Sequence, residues 1–596
     1  MSSPLALLTR PRFFYLCSAL LLLLLYGRSL GFGYVYDDHS LLTYNPGLLN
    51  PRLSWELLAR PVLADTSYFR PLVFFSWWLE GQLLGRFSPA LSHLVNLLFF
   101  YGTLLIFHRL LRRLDLPAPV AAGASLLYLL HPANVEAVAW TAGRFDLFLT
   151  GFVLLALDAA VVGRRWLALL AAAAALLSKE TAVVLIGLLG LLDMARHADG
   201  RPWAVQLRAS WTRQRSLYIG LILLDLAYLL LRSRAGGLYH RTLDWAYLQQ
   251  YWLQWAAPPL ALGEYLRQLL WPWGAPLLTP IAPIAAQPGA RPLALLLTVA
   301  LLGGLVWGLK RRQRWPLLAL LPALSLVLVL HLLPLNINDN LSQQRFLTLT
   351  LPLLTLGLAL GWAARPRPAG LGGVLLGLGL AYGLGTAATV GVWRDELSFW
   401  TAMNRDYGHY FHGRPAKGYF NVLLQRPNQR ARLEELLQRE QSLSAAAGVP
   451  PERDMFVGYA DYLIQRERDP AGLRLLEEQL PYYHGTPLWH SYGKYINGLL
   501  ALENDYRTAG RYLARLEHEA APLFQSDAAL TAARLSVNLL RNQPEGLRAD
   551  WERFPSRQPA LRALLNERAR ASCAAEPRPI PACAADFDFA VYVQSL

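Results

Sequence analysis

Leu16-Cys-Ser-Ala-Leu-Leu-Leu-Leu-Leu-Leu25, approached through Arg10 and Arg12 and left through Tyr26, Arg28 and Phe32, is the stretch that decides the fold. A secretory leader carries a similar apolar run, but a small-x-small cleavage site follows it, and none is present here. The run therefore reads as a retained first span. Ten further apolar segments of spanning length lie near 89–108, 117–131, 145–162, 166–178, 180–194, 216–231, 292–309, 316–333, 346–363 and 370–391. The expected fold class is an all-α polytopic membrane protein with about eleven transmembrane helices.

The composition agrees. Hydrophobic residues make up 54% and charged residues 16% of the 596, whereas ordinary soluble proteins carry roughly a quarter charged residues. Glycine (44) and proline (39) are dispersed, which excludes collagen-like and low-complexity chains. Three cysteines exclude a disulfide framework or a multi-cysteine metal cluster. The net charge of +15 sits in short clusters between apolar runs, a topology signal rather than a nucleic-acid surface.

Those clusters fix the orientation. Arg10 and Arg12, Arg109, Arg112 and Arg113, Arg164 and Arg165, Arg196 to Arg215, Lys310 to Arg314, and Arg365 with Arg367 all fall in alternate loops. The amino terminus is then cytoplasmic and the region from about 393 lies on the far side, with Arg232 and Arg234 as the exception. The long non-cytoplasmic segments are 31–88, 132–144, 232–291 and 334–345. Of these, 241–273 is rich in Trp and Tyr, which suits the membrane interface.

The domain organisation is 1–392 for the membrane part and 393–596 for a soluble helical part. Within the latter, Asp469-Pro-Ala-Gly-Leu-Arg, Asp505-Tyr-Arg-Thr-Ala-Gly and Gln543-Pro-Glu-Gly-Leu-Arg repeat. Their glycines at 472, 510 and 546 are 38 and 36 residues apart, with Pro481, Pro522 and Pro555 following. That period suits tetratricopeptide-like helix pairs, and Trp489-His-Ser-Tyr-Gly493 echoes the first helix of such a pair. Cys573 and Cys583 are expected to pair in an oxidising compartment.

Ionisable residues next to spans call for an explanation. Here they gather on the non-cytoplasmic side: Asp37-Asp38, Arg70, His131 to Glu136, Arg144 and Asp146, Lys179-Glu180, and Asn338-Asp-Asn340 before Gln343-Gln-Arg345. Helix capping, snorkelling or structural ion pairing accounts for any one of them. Their shared face points to one polar cavity opening outward. Neighbouring carboxylates at 37 and 38 repel and need cationic or metal partners. They suit Mg²⁺ or Mn²⁺, and a base with a hydrogen-bonded partner serves equally well.

A carboxylate for proton removal, arginines for phosphate and aromatic segments for an isoprenoid tail together fit transfer from a lipid phosphate. No P-loop, nucleophile elbow, zinc-protease or dinucleotide motif is present. The Asp586-Phe-Asp588 triplet resembles a nucleotide-sugar metal motif. It precedes a strand-like Phe-Ala-Val-Tyr-Val run at the end of the chain, so it is assigned no role.

The ordered series Tyr34-Val-Tyr-Asp-Asp38 with Asn45-Pro46, Tyr68-Phe-Arg-Pro-Leu72, His93-x-x-Asn96, His131-Pro-x-x-x-Glu136, Gly143-Arg-x-Asp146 and Ser178-Lys-Glu180 resembles the transmembrane-and-tetratricopeptide-repeat O-mannosyltransferases. These belong to the GT-C superfamily of polyprenyl-phosphate-sugar glycosyltransferases. The resemblance implies a GT-C fold, an inverting transfer from a polyprenyl-phosphate-linked monosaccharide, and a hydroxyl acceptor. It implies Asp37 or Asp38 as the catalytic carboxylate and Arg345 as a donor-phosphate contact. Arg70, Lys179, Glu180, His131, Glu136, Arg144 and Asp146 complete the expected donor site. Where the family has Glu-Arg, this chain has Gln344-Arg345, so the role of that carboxylate is absent or moved.

Arginine far outnumbers lysine and the repeats are short, which suggests a bacterial relative. The expected setting is an inner membrane with the carboxyl-terminal domain in the periplasm and a protein such as a pilin docking on it. A lipid or envelope-glycan acceptor is the alternative within enzymes. A non-catalytic transporter or receptor is the alternative outside them, although the duplicated halves and mid-membrane polar residues of transporters are missing.

Overall fold

Each of the eleven apolar segments is mainly helical over its described residues. The computed structural model describes residues 10–52, 68–236, 245–333, 340–362, 371–407, 414–447, 451–479, 489–503, 505–519, 528–543, 547–552, 558–575, 581–584 and 586–595. Among these no strand occurs, only one isolated bridge between Pro280 and Asn340. Six stretches among the described residues are long and apolar enough to cross a membrane: Pro11–Gly31, Pro89–Arg113, Trp203–Ala235, Ala290–Lys310, Gln344–Trp362 and Gly373–Trp393. The protein is an all-α polytopic membrane protein.

The other helices are shorter. Ala118–Leu130 has 13 residues and Arg165–Ser178 has 14, about 20 Å each at 1.5 Å per residue, against a hydrocarbon layer of about 30 Å. The chain divides into two units, Met1–Tyr410 and Phe411–Leu596. The division lies beyond the expected boundary near 393, because Val390, Trp393, Phe399 and Met403 are buried in the first unit's core.

In the first unit, α1 (Pro11–Tyr26) starts on a proline at its first turn, where the missing N–H costs nothing. The segment 31–88, expected as an external loop, contains a second apolar helix, α2 (Pro71–Leu84). Val73, Phe74 and Trp77 bury it, and Gly85 ends it in the left-handed conformation that a glycine adopts without strain. Helix α3 (Pro89–Arg113) packs against α5 (Arg144–Val161). Gly151 permits that approach, since a Cβ there would lie 2.6 Å from the Thr103 hydroxyl.

Between α4 (Ala118–Leu130) and α5, the chain makes a short helix, Val135–Ala139, and a tight turn, Thr141–Gly143. Gly143 has to be glycine: a Cβ would run into the Ala137 carbonyl. This turn brings Glu136 and Asp146 within electrostatic reach of each other. Helices α6 (Arg165–Ser178) and α7 (Leu185–Arg196) follow, joined through Lys179 and Glu180. Helix α8 (Trp203–Gly236) begins well before the expected 216. Its early turns carry Arg213, which pairs with Asp193 of α7 at 2.7 Å.

The second unit is built from antiparallel helices. Helix α9 (Arg453–Tyr462), continued to Glu467 by wider turns, is followed by α10 (Ala471–Gln479). Helix α11 (Trp489–Gly498), continued to Glu503 in the same way, is followed by α12 (Tyr506–Glu519). The turns are equivalent. Asp469 N–H donates to the Leu463 carbonyl and Asp505 N–H to that of Leu499. Each aspartate then caps the next helix, Asp469 accepting from Ala471 N–H and Asp505 from Thr508 N–H, both at 2.9 Å.

The repeat is therefore 36 residues counted on the aspartates. Gly472 matches Thr508, so pairing it with Gly510 was out of register by two residues; Gly546, Pro481, Pro522 and Pro555 lie outside the described residues. Cys573 and Cys583 are joined, with Cα atoms 5.4 Å apart. The final apolar run is helical, Phe589–Ser595, and not the expected strand. Asp588 accounts for this: it accepts from Ala590 N–H at 2.9 Å as a helix cap and pairs with Arg562.

Candidate active site

Three cations and three carboxylates meet where the connectors of the first unit converge. Arg70, just before α2, holds Glu180 in a two-point pair at 3.0 and 2.7 Å. Lys179 donates to Asp146 at 2.5 Å. Arg345 binds Glu136 twice, through its guanidinium at 2.7 Å and its own backbone N–H at 3.0 Å. Its Nε also lies 3.9 Å from Asp146, which links the pairs.

Aromatic rings wall the set. Arg70 lies over Tyr68 and Phe145, Lys179 over Phe346, and Arg345 over Trp140. Such desolvated pairs persist only when well oriented, and the rings over each cation supply part of that orientation. The side-chain exposures differ: 22% for Arg345, 11% for Arg70 and 4% for Lys179. Arg345 is the most open of the three to a ligand.

The two adjacent aspartates have separate environments. Asp38 is buried, one oxygen accepting from Val35 N–H at 3.1 Å and the other from Ala142 N–H at 2.9 Å. Burial pushes its carboxyl well above the usual carboxylate range, against the pull of those two amides. Asp38 thus ties the loop after α1 to the 141–143 turn. Asp37 is half-buried and lies within electrostatic reach of Arg345.

Burial raises Glu136, with Arg345 opposing. Burial pushes the Lys179 ammonium down to about 8, with Asp146 opposing. Among the described residues no three His, Cys, Asp or Glu side chains converge as a metal set. Each Asp38 oxygen already accepts one amide, so a cation at the Asp37–Asp38 pair would have to share those oxygens with the backbone.

Two expected donor contacts have other partners. The Arg144 guanidinium is fully buried, held by Glu80, by Asn96 Oδ1 at 2.8 Å, by Ser76 Oγ at 3.0 Å and by the Ser92 carbonyl at 2.8 Å. It locks α2, α3 and α5 together. His131 lies at the end of α4, its Nδ1 accepting from Ala133 N–H and its Nε2 facing the Leu269 carbonyl.

Glu80 was missed, although a lone glutamate in an apolar run was a visible signal. Arg232, on the wrong side by loop charge, is buried at the end of α8 within electrostatic reach of Glu180. Its position places it beside this cluster. Asn340 is held by Thr279, whereas residues 338 and 339 lie outside the described residues.

Comparison with known proteins gives a consistent direction. The chain is 37% identical over 196 residues to protein O-mannosyl-transferase Tmtc1 of Drosophila melanogaster, covering 30% of this chain and 22% of that one. It is 32% identical over 217 residues to protein O-mannosyl-transferase Tmtc2 of the same fly, covering 33% and 23%. Human protein O-mannosyl-transferase TMTC4 is 27% identical over 203 residues, covering 28% and 27%. The chain spans about a quarter of the length of these curated relatives. No family model matches the chain. No solved structure matches it.

Proposed function

We propose that this chain is a membrane glycosyltransferase of GT-C type that moves a monosaccharide from a polyprenyl phosphate to a hydroxyl of a protein, with inversion. Asp37 takes the acceptor proton as the new bond to the sugar's anomeric carbon forms. The bond from that carbon to the phosphate oxygen breaks, and its electron pair leaves with the phosphate. Arg345 faces the charge that develops there, with Lys179 and Arg70 behind it. A glycosyl phosphate needs no protonated leaving group, so one base and a cationic cradle suffice.

The observation that carries this reading is the division of labour between the two aspartates. Asp38 is consumed by two backbone amides, while its half-buried neighbour lies within electrostatic reach of the most open cation of the cluster. The names of the relatives support protein O-glycosylation. The proposed setting is a bacterial inner membrane, with the amino terminus cytoplasmic and the repeat unit periplasmic. There the repeat unit docks an acceptor such as a pilin.

The test uses the full chain in lipid nanodiscs with decaprenyl-phosphate mannose and a Ser/Thr-rich peptide. Asp37→Asn should lower turnover by about 10²–10⁴-fold with little change in donor KM. Arg345→Ala should raise donor KM first. Near-normal turnover in Asp37→Asn would refute the assignment.

A further inference from the structure

The residue just before the acidic pair has an uncomfortable backbone. Tyr36 has φ +56°, in the left-handed region. A bulky side chain there costs of order 1 kcal/mol or more and persists only when its surroundings enforce it. The enforcing groups come from the far end of the first unit, beyond the last apolar helix. The Tyr36 N–H donates to Glu396 Oε1 at 2.6 Å. The same oxygen lies 3.1 Å from His39 Nε2, and Trp400 Nε1 donates to the other oxygen.

Three residues earlier, the Gly33 N–H donates to the Arg394 carbonyl at 2.9 Å. The Tyr36 ring is packed among Phe399 at 5.1 Å, Trp400 at 5.7 Å and Trp140 at 6.1 Å between centroids. Glu396 therefore touches the residues on both sides of Asp37-Asp38. Asp38 is fixed independently by the amides of Val35 and Ala142. With Tyr36 and Asp38 both held, the backbone at Asp37 is anchored from either side.

We propose that Glu396 is a positioning residue: its carboxylate holds Tyr36 in the left-handed conformation and so aims Asp37 at the reacting hydroxyl. The inference rests on the reading of Asp37 as the base. Glu396 acts through Asp37, so its removal misdirects the base without removing it. A misplacement of about 1 Å can cost about 10²-fold in rate.

The assay above, on the full chain with decaprenyl-phosphate mannose, separates the possibilities. Glu396→Ala should lower kcat about ten- to a hundred-fold with donor KM within about two-fold of wild type, the range expected for a displaced catalytic group. Glu396→Gln has one acceptor oxygen, enough for Tyr36 N–H or Trp400 N–H but not both, and should fall between alanine and wild type. The double-mutant cycle is decisive. Added to Asp37→Asn, Glu396→Ala should lower turnover no further, whereas a merely structural residue would lower it by the same factor again.

Wild-type kcat in both Glu396 variants, or full additivity with Asp37→Asn, overturns the proposal. If alanine does not purify, wild-type kcat in Glu396→Gln alone overturns it. Unimpaired Asp37→Asn instead refutes the underlying reading, and that result is distinct from either.

Discussion

Raising the pH should weaken donor capture without unfolding the protein, and the reason lies in Lys179. Its side chain is 4% exposed in the connector between α6 and α7, and burial brings its ammonium from 10.5 down to about 8 despite Asp146 at 2.5 Å. That interval corresponds to about 3 kcal/mol disfavouring the charged form in the folded state. In the unfolded chain the lysine keeps its proton up to its ordinary pKa. Between pH 8 and 10.5 the unfolded state therefore binds more protons, and this group makes stability rise with pH. Under the proposed function phosphate capture has the opposite dependence, because it would use the ammonium, which is lost as pH rises through about 8.

The expected kcat/KM for the lipid-phosphate donor thus falls above about pH 8, and this ratio reports groups of the free enzyme. Thermal unfolding followed in parallel should show no loss between pH 8 and 9.5. Lys179→Arg keeps a cation at all these values and should move the falling limb upward by more than one pH unit, at reduced overall efficiency. An unchanged limb in Lys179→Arg, or a wild-type limb that coincides with a falling unfolding temperature, would refute the reasoning.

Asp38→Ala orphans the amides of Val35 and Ala142 in a buried site, so stability should fall by about 2–4 kcal/mol, read as a lower unfolding temperature, while Asp37→Asn should leave that temperature within about 1 °C of wild type. Cys573 and Cys583 should resist a thiol reagent until reductant is added; Cys573→Ser with Cys583→Ser should cost about 2–3 kcal/mol, and prompt labelling of both thiols without reductant would contradict the pairing.

Lipid-facing helices were legible because hydrocarbon leaves the backbone no partner but itself, so every long apolar run had to be a helix. The helix Pro71–Leu84 escaped for a physical reason. It is short, and Arg70 and Glu80 make it look like loop sequence, although both charges are neutralised by residues far away in the chain. The first half of α8 was hidden likewise, since its arginines read as loop charge while Arg213 in fact pairs with Asp193 of the adjacent helix. The repeat period was visible, but glycine was the wrong marker. Aspartate caps recur because each turn needs an acceptor for the next helix's first amides, whereas Gly472 answers a local need, a Cβ there lying 2.6 Å from the Ala460 carbonyl.

For the site, residue types and their convergence from several connectors were readable, but pairing was not, because partners lie 33 to 209 residues apart. Pairing decides the chemistry. Arg70, Lys179 and Arg345 are matched one for one by Glu180, Asp146 and Glu136, while Arg232 lies within electrostatic reach of Glu180 and Asp37 within that of Arg345. The cluster named here is therefore close to neutral before a donor arrives. A phosphodiester with one negative charge gains modestly from such a set. The departing phosphate, carrying a second charge as the sugar bond breaks, gains more from oriented cations screened from water by Trp140, Phe346 and Phe145. Interactions that strengthen as the reaction proceeds raise turnover, whereas those equally strong at the start only tighten binding. A balanced, aromatic-walled cluster with Arg345 at its open edge is suited to the first kind.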